Sequence, residues 1–176
     1  DEVTTDEDTP LLIDVLAANG HGADLDAERN NDATLTINLT PPGQGTLVNH
    51  PDGTFTYDPA GQFESLGAGQ SATQTFDYQI EDAFGETATA AVTITITGVN
   101  DSPTVAITGA PPSSPEGTTI SLGSAITDPD LADTHTYSWS VTKSGAAYDS
   151  GTGAGLSFTP DDNGSYVVSV TVADDE

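Results

Sequence analysis

Strict alternation is the feature that most constrains this chain. TFTYD (54–58), TFDYQI (75–80), VTITIT (92–97), TYSWSV (136–141) and YVVSVTV (166–172) each place an apolar or aromatic residue at every second position. Successive side chains of a strand point to opposite faces, so this period buries one face and leaves the other in water. Between the runs stand Pro-Pro-Gly, Pro-Asp-Gly, Ala-Phe-Gly and Asp-Asn-Gly, which supply turn chemistry at short intervals. No 3.6-residue period holds for three turns. The pattern predicts an all-β sandwich.

Charge sets the next limit. The chain has 28 acids against Arg29 and Lys143, a net charge of −26. Such a balance with modest hydrophobicity is also the composition of disordered chains, and the alternation is what argues for folding here. It weighs against nucleic acid or an anionic membrane as partner and makes cations the natural one. There is no cysteine, so no disulfide framework supports the fold. No apolar run is long enough for a membrane span.

The runs divide into two sets. DEVTT, LLIDVL, ATLTINLT, TLVNH, TFTYD, TQTFDYQIE and TATAAVTITITGV precede Asn100, the seven strands of an immunoglobulin-like sandwich. Asn100-Asp101-Ser102-Pro103 then stops the alternation. TVAIT, TISLGSAI, THTYSWSV, a weak strand near AAYDS, GLSFT and SYVVSVTV repeat the plan with a shorter middle. The reading is two tandem sandwiches joined end to end, residues 1–100 and 101–176, the second lacking its last strand. Either the segment is cut from a longer array, or a strand from another molecule completes the sheet and polymerises the protein head to tail. Trp139 is expected in the second core, and Tyr166 in a tyrosine corner.

A sandwich with an odd number of strands takes the chain in at one pole and out at the other. Pro103 fixes φ and holds Ser102 extended, which favours a straight passage into the next sandwich. Strand order then brings acids to that junction. The first sandwich supplies Asp6, Glu7, Asp8 and Glu64. Asn100 and Asp101 come from the linker, and the second sandwich supplies Asp128, Asp130, Asp174, Asp175 and Glu176. Two like charges about 4 Å apart cost about 1 kcal/mol even in water, so such a group calls for a counter-ion. Calcium suits it, with about 6 to 8 oxygen ligands and tolerant geometry; magnesium is stricter, and zinc prefers His or Cys. His21, His50 and His135 are scattered and are read as solvated. Acids away from the junction, Asp52, Asp77, Asp149 and Asp161, are assigned to turns and strand faces.

Enzymatic chemistry finds no motif. There is no Cys nucleophile, G-x-S-x-G, H-E-x-x-H, P-loop or dinucleotide fingerprint. SGTGAGL (150–156) lacks the Lys of a phosphate loop and is expected to be a hairpin. Carboxylate pairs carry no specificity in a chain this acidic. With one Trp, five Tyr and five Phe, most placed inward by the alternation, few aromatics remain to bind sugar. Asn38-Leu39-Thr40 and Asn163-Gly164-Ser165 match glycosylation acceptors, with Asn163 read as a turn residue.

TTDEDTPLLIDVLAANG, the loop with Asp24-Leu25-Asp26, PDGTFTYDPAGQF and TFDYQIEDAFGETATAAVTITITGVNDSP together resemble the bacterial cadherin-like (VCBS-type) tandem repeat of large surface adhesins. DSPTVAITG, AITDPDLADTHTYSWSV and GSYVVSVTVADDE resemble a PKD-like or cadherin-like domain more loosely. The resemblance implies a secreted or cell-surface, non-enzymatic segment rigidified by Ca2+. Its partners would be neighbouring domains, copies of itself, or a cell-surface or glycan ligand. Carried over by motif, the ligands fall on Glu7, Asn100, Asp101, Asp128, Asp130 and Asp174, with Glu64 near rather than on the family position. Asp24, Asp26 and Asp82 correspond to the half-site that would face a preceding domain. The linker departs from the family in having Asn-Asp-Ser-Pro with no second Asn, and GHGADLDAERNND is longer than the usual acidic loop. Competing readings are a self-polymerising filament or surface-layer subunit, and a carbohydrate-binding module of a secreted enzyme.

Overall fold

The structure, a computed structural model, describes residues 1–15, 40–81 and 87–175. The chain divides into two compact units, Asp1–Val99 and Asn100–Glu176.

The first unit contains β1 (Glu2–Asp6), β2 (Leu11–Asp14), β3 (Thr46–Asn49), β4 (Thr54–Asp58), β5 (Ser71–Glu81) and β6 (Thr87–Thr97). They form two sheets ordered β1-β6-β5 and β2-β4-β3. The alternation decides which side chains meet between them. In β4, Phe55 and Tyr57 are buried while Thr54, Thr56 and Asp58 are half-buried. In β6, Val92, Ile94 and Ile96 are buried and the threonines between them face outward. Phe55 from one sheet packs on Phe76 from the other, ring centroids 5.1 Å apart. Each such aliphatic or aromatic side chain contributes about 1.5–3 kcal/mol by leaving water.

Turn residues close the hairpin between β3 and β4. Gly53 takes a φ of 89°, a conformation that costs a Cβ-bearing residue free energy. Asp52 Oδ1 accepts from the Thr54 hydroxyl at 2.8 Å. The parallel pairing of β1 with β6, Glu2 opposite Thr93 through Asp6 opposite Thr97, brings the start of this unit beside its last strand. Of the predicted strand ATLTINLT only Thr40 is described, and it bridges to Asp77.

The second unit contains β7 (Thr104–Thr108), β8 (Ile120–Thr127), β9 (Thr136–Lys143), β10 (Ala146–Gly151), β11 (Gly155–Phe158) and β12 (Tyr166–Ala173). Its sheets are ordered β11-β8-β7 and β10-β9-β12. Trp139 is the largest core residue, 1% exposed, and its Nε1 donates to Gly153 O at 2.8 Å. The Tyr166 hydroxyl reaches back to Asp162 O at 3.0 Å, the geometry of a tyrosine corner.

SGTGAGL is not a hairpin. It carries the chain from β10, which pairs with β9, to β11, which pairs with β8 in the other sheet. Leu156 and Phe158 are buried at alternate positions and join Leu122 in the core. Their burial draws β11 away from β10. The weak strand near AAYDS is a six-residue strand with an irregularity between Ala147 and Asp149.

Candidate metal centre

In the first unit the site is built at the end of β6. Glu7 follows β1 directly, and its amide donates to Thr97 O at 3.0 Å, continuing the line of the β1–β6 pairing. That holds the side chain over the strand end, where Glu7 Oε1 accepts from the Val99 amide at 2.9 Å. Glu7 is only 2% exposed. Thr5 Oγ1 donates to Thr9 O at 2.7 Å and shapes the loop that carries Glu7. The loop before β5 reaches the same strand end: Gly98 N donates to Gln70 O at 3.0 Å. A Cβ on Gly98 would lie 2.1 Å from Leu66 O, so only glycine fits. Glu64 sits half-buried on this loop.

In the second unit the acids are organised around Asp130. The Asp101 amide donates to Asp130 Oδ2 at 2.7 Å, and the Asp130 amide donates to Asp128 Oδ1 at 3.0 Å. Asp130 is 1% exposed, and the Asp128 side chain 6%. Among the described residues, Asp130 Oδ1 and Asn100 Oδ1 are buried and receive no hydrogen bond. His135 Nε2 lies 2.6 Å from Asp128 Oδ2. From the end of β12, Asp175 Oδ1 accepts from the Thr134 amide at 2.8 Å. That backbone bond, with the Thr134 side chain, holds the Asp175 carboxyl below its usual value. Asp174 is half-buried beside it.

Each unit thus presents its own set of oxygens. A buried carboxylate oxygen with no donor is costly unless a cation meets it. The donor set is carboxylates and an Asn amide oxygen, the chemistry of a hard dication such as calcium. It does not suit zinc, because His135 directs its Nε2 at Asp128 rather than into a cluster of nitrogen or sulfur ligands.

Asp24, Asp26 and Asp82, like His21, lie outside the described residues. His50 engages Thr56 Oγ1 at 2.8 Å. Asp149 accepts from the amide of Ser150, its neighbour in β10, and Asp161 pairs with Lys143 Nζ at 2.8 Å. The contact missed in the sequence is that of His135 with Asp128. His135 stands just before β9 (Thr136–Lys143) and is half-buried there, its Nε2 toward Asp128.

The two-sheet sandwich with carboxylates gathered in its strand-end loops defines an immunoglobulin-like module of the cadherin kind. Residues 1–98, more than half of the chain, match the model of the bacterial cadherin-like domain, and the chain belongs to that family. Among solved structures it is similar to Drosophila N-cadherin EC1-4, at 18% identity and a TM-score of 0.49 over 99% of this chain and 43% of that one. It is also similar to protocadherin gamma B2 extracellular cadherin domains 3-6, at 15% identity and 0.43, over 98% of this chain and 41% of that one. The chain therefore spans about two-fifths of the length of these structures. No curated protein matches it in sequence. Cadherin-like domains are extracellular, adhesive or structural, typically non-enzymatic and in general calcium-binding. No helix among the described residues is long and apolar enough to cross a membrane.

Proposed function

We propose that this chain is a structural or adhesive segment of a long surface adhesin whose two units are stiffened by calcium bound at their junction. Glu7, Asn100, Asp101, Asp128 and Asp130 are the central ligands, with Glu64 and Asp174 at the margin. Asp24, Asp26 and Asp82 would serve an equivalent site toward a preceding domain.

The observation that carries this reading is the Asp130 carboxylate, 1% exposed, with one oxygen held by the Asp101 amide and the other receiving no donor among the described residues. A hard cation satisfies such an oxygen. Chain connectivity supports a shared site. Glu7 is tied to the amide of residue 99 and Asp130 to the amide of residue 101. Two residues of backbone span at most about 7 Å, so the linker tethers the two sets of oxygens. Without a cation these carboxylates repel one another and the linker bends; bound to one centre, they hold both units and resist bending.

Calcium sites in extracellular modules commonly bind at about 10⁻⁴ to 10⁻³ M. At 100 times the dissociation constant, binding adds about 2.7 kcal/mol per site. The test is thermal unfolding with calcium and with chelator at constant ionic strength. A calcium-dependent rise in melting temperature that magnesium does not reproduce supports the reading, and identical curves remove it.

A further inference from the structure

The described residues include three asparagines, Asn49, Asn100 and Asn163, and the backbone just after each is held differently. The amide that follows Asn49 donates to Thr54 O at 2.9 Å. The amide that follows Asn100 donates to Asp130 Oδ2 at 2.7 Å. The amide that follows Asn163 belongs to Gly164 and has no hydrogen-bond partner among the described residues. Asn163 itself is exposed, in the turn between β11 and β12.

The turn itself demands this pair of residues. Asp162 Oδ1 accepts from the Asn163 amide at 2.7 Å and starts the turn. Gly164 then takes a φ of 153°, a conformation that favours a residue without a Cβ. The Tyr166 hydroxyl closes the same turn from the far side, on Asp162 O at 3.0 Å and Asp161 Oδ1 at 2.9 Å. Its ring packs on Tyr148 and Phe158, centroids 5.0 and 5.9 Å away. Whatever changes the length of chain between Asp162 and Tyr166 therefore pulls on the packing of the second unit.

We propose that Asn163 is a site of spontaneous deamidation in the folded protein, and that its isoaspartyl product loosens the tyrosine corner of the second unit. The Gly164 nitrogen attacks Asn163 Cγ and forms a cyclic imide. Nδ2 leaves as ammonia, taking the proton that the Gly164 nitrogen gives up. Water then opens the ring. Opening at Cγ leaves aspartate on an unchanged main chain, whereas opening at the α-carbonyl leaves isoaspartate, which routes the main chain through the side chain and lengthens it by one carbon. No oxidant or reductant is involved. Glycine favours the attack because no Cβ obstructs it, and no hydrogen bond has to break first. At Asn49 and Asn100 the attacking nitrogen is already engaged and belongs to His50 or Asp101, which carry a Cβ. The added carbon falls between Asp162 O and the Tyr166 hydroxyl, so the corner bond lengthens or breaks. The site does not depend on calcium.

The full 176-residue chain is incubated folded in mildly alkaline buffer, with a parallel sample unfolded in urea, and samples are digested briefly with trypsin and read by mass spectrometry. Cleavage after Arg29 and Lys143 places Asn163 in peptide 144–176, which holds no other Asn or Gln, and leaves Asn19-Gly20 in peptide 1–29. The expected result is that peptide 144–176 gains the mass of an amide turned acid and splits into aspartyl and isoaspartyl forms. Fragmentation of peptide 30–143 should show Asn49 and Asn100 lagging by about tenfold or more. The melting temperature of the incubated parent should fall with the isoaspartyl fraction, and that of Asn163→Gln should fall less, with no mass gain in its peptide 144–176. Modification at Asn163 slowed about tenfold or more by folding, or no faster than at Asn49 and Asn100, would overturn the site. An isoaspartyl fraction that accumulates while parent and Asn163→Gln melt alike would overturn its action on the tyrosine corner. The mass readings come from the parent chain and hold whatever Asn163→Gln does to folding.

Discussion

The Asp101 amide donates to Asp130 Oδ2 over 2.7 Å. This bond ties the second residue of the unit to a carboxylate buried 29 positions later, at the turn after β8. It orients the side chain so that its other oxygen is buried without a donor among the described residues.

Replacing that charge separates metal binding from packing. Asp130→Asn keeps an oxygen for the Asp101 amide and removes the anion. In chelator the variant should match the parent within about 1 kcal/mol or exceed it, because a buried uncompensated charge is destabilising. With calcium it should lose the added stability of about 2.7 kcal/mol expected at 100 times the dissociation constant. Differential scanning calorimetry with and without calcium checks both halves.

Glu7 offers the matching comparison in the first unit. Glu7→Gln preserves an acceptor for the Val99 amide and should reduce calcium affinity while leaving chelated stability nearly unchanged. Glu7→Ala removes the acceptor as well, and should cost about 1 kcal/mol even in chelator. An unchanged calcium affinity in Glu7→Gln would mean that the Glu7 charge has no part in cation binding. Isothermal titration and urea unfolding supply the two readouts.

The pair Lys143–Asp161 predicts a pH dependence unrelated to calcium. Hydrogen bonds from Lys143 and then Tyr166 hold the Asp161 carboxyl below its ordinary 3.8, and Asp161 pushes the Lys143 ammonium above its ordinary 10.5. The depressed carboxyl contributes stability that is present above pH 3.8 and lost as pH falls through its lower folded value. The raised ammonium contributes below pH 10.5 and is lost as pH rises through its higher folded value. Asp161→Asn should therefore be less stable than the parent at neutral pH, and the difference should shrink as pH falls below 3.8 through the lowered folded value. Urea unfolding in chelator across that range measures it.

Gly98 tests the strand end that carries the first set of acids. Its absent Cβ would lie 2.1 Å from Leu66 O and 2.3 Å from Gly67 O, both backbone atoms that cannot rotate away. Gly98→Ala should destabilise the protein by about 2–3 kcal/mol and weaken calcium binding through displacement of the loop that holds Glu64. Urea unfolding in chelator isolates the first effect. A neutral result would show that this loop is free to shift.

The strands were legible because each buries one face, which imprints a period of two: Phe55 and Tyr57, or Val92, Ile94 and Ile96, report the core directly. Partnership left no such trace. The parallel register of β1 on β6 depends on which edge is free, and the passage from β10 to β11 between sheets depends on Leu156 and Phe158 finding Leu122. At the candidate site Asp128 and Asp130 were visible as an Asp-Pro-Asp turn. The His135 contact was hidden because it joins the end of β8 to the start of β9, a proximity fixed only by the sheets around it. Among the acids after β12, the structure gives Asp175, not Asp174, the bond to the Thr134 amide, because hydrogen-bond geometry at a strand end varies residue by residue.

The most direct test of the central claim is small-angle scattering of the chain with calcium and with chelator at constant ionic strength, repeated on Asp101→Ala. The account predicts a longer, narrower distribution of particle lengths with calcium, and a parent in chelator that resembles the variant under both conditions. Profiles that ignore calcium, or a calcium response that survives in Asp101→Ala, would contradict a cation-stiffened junction.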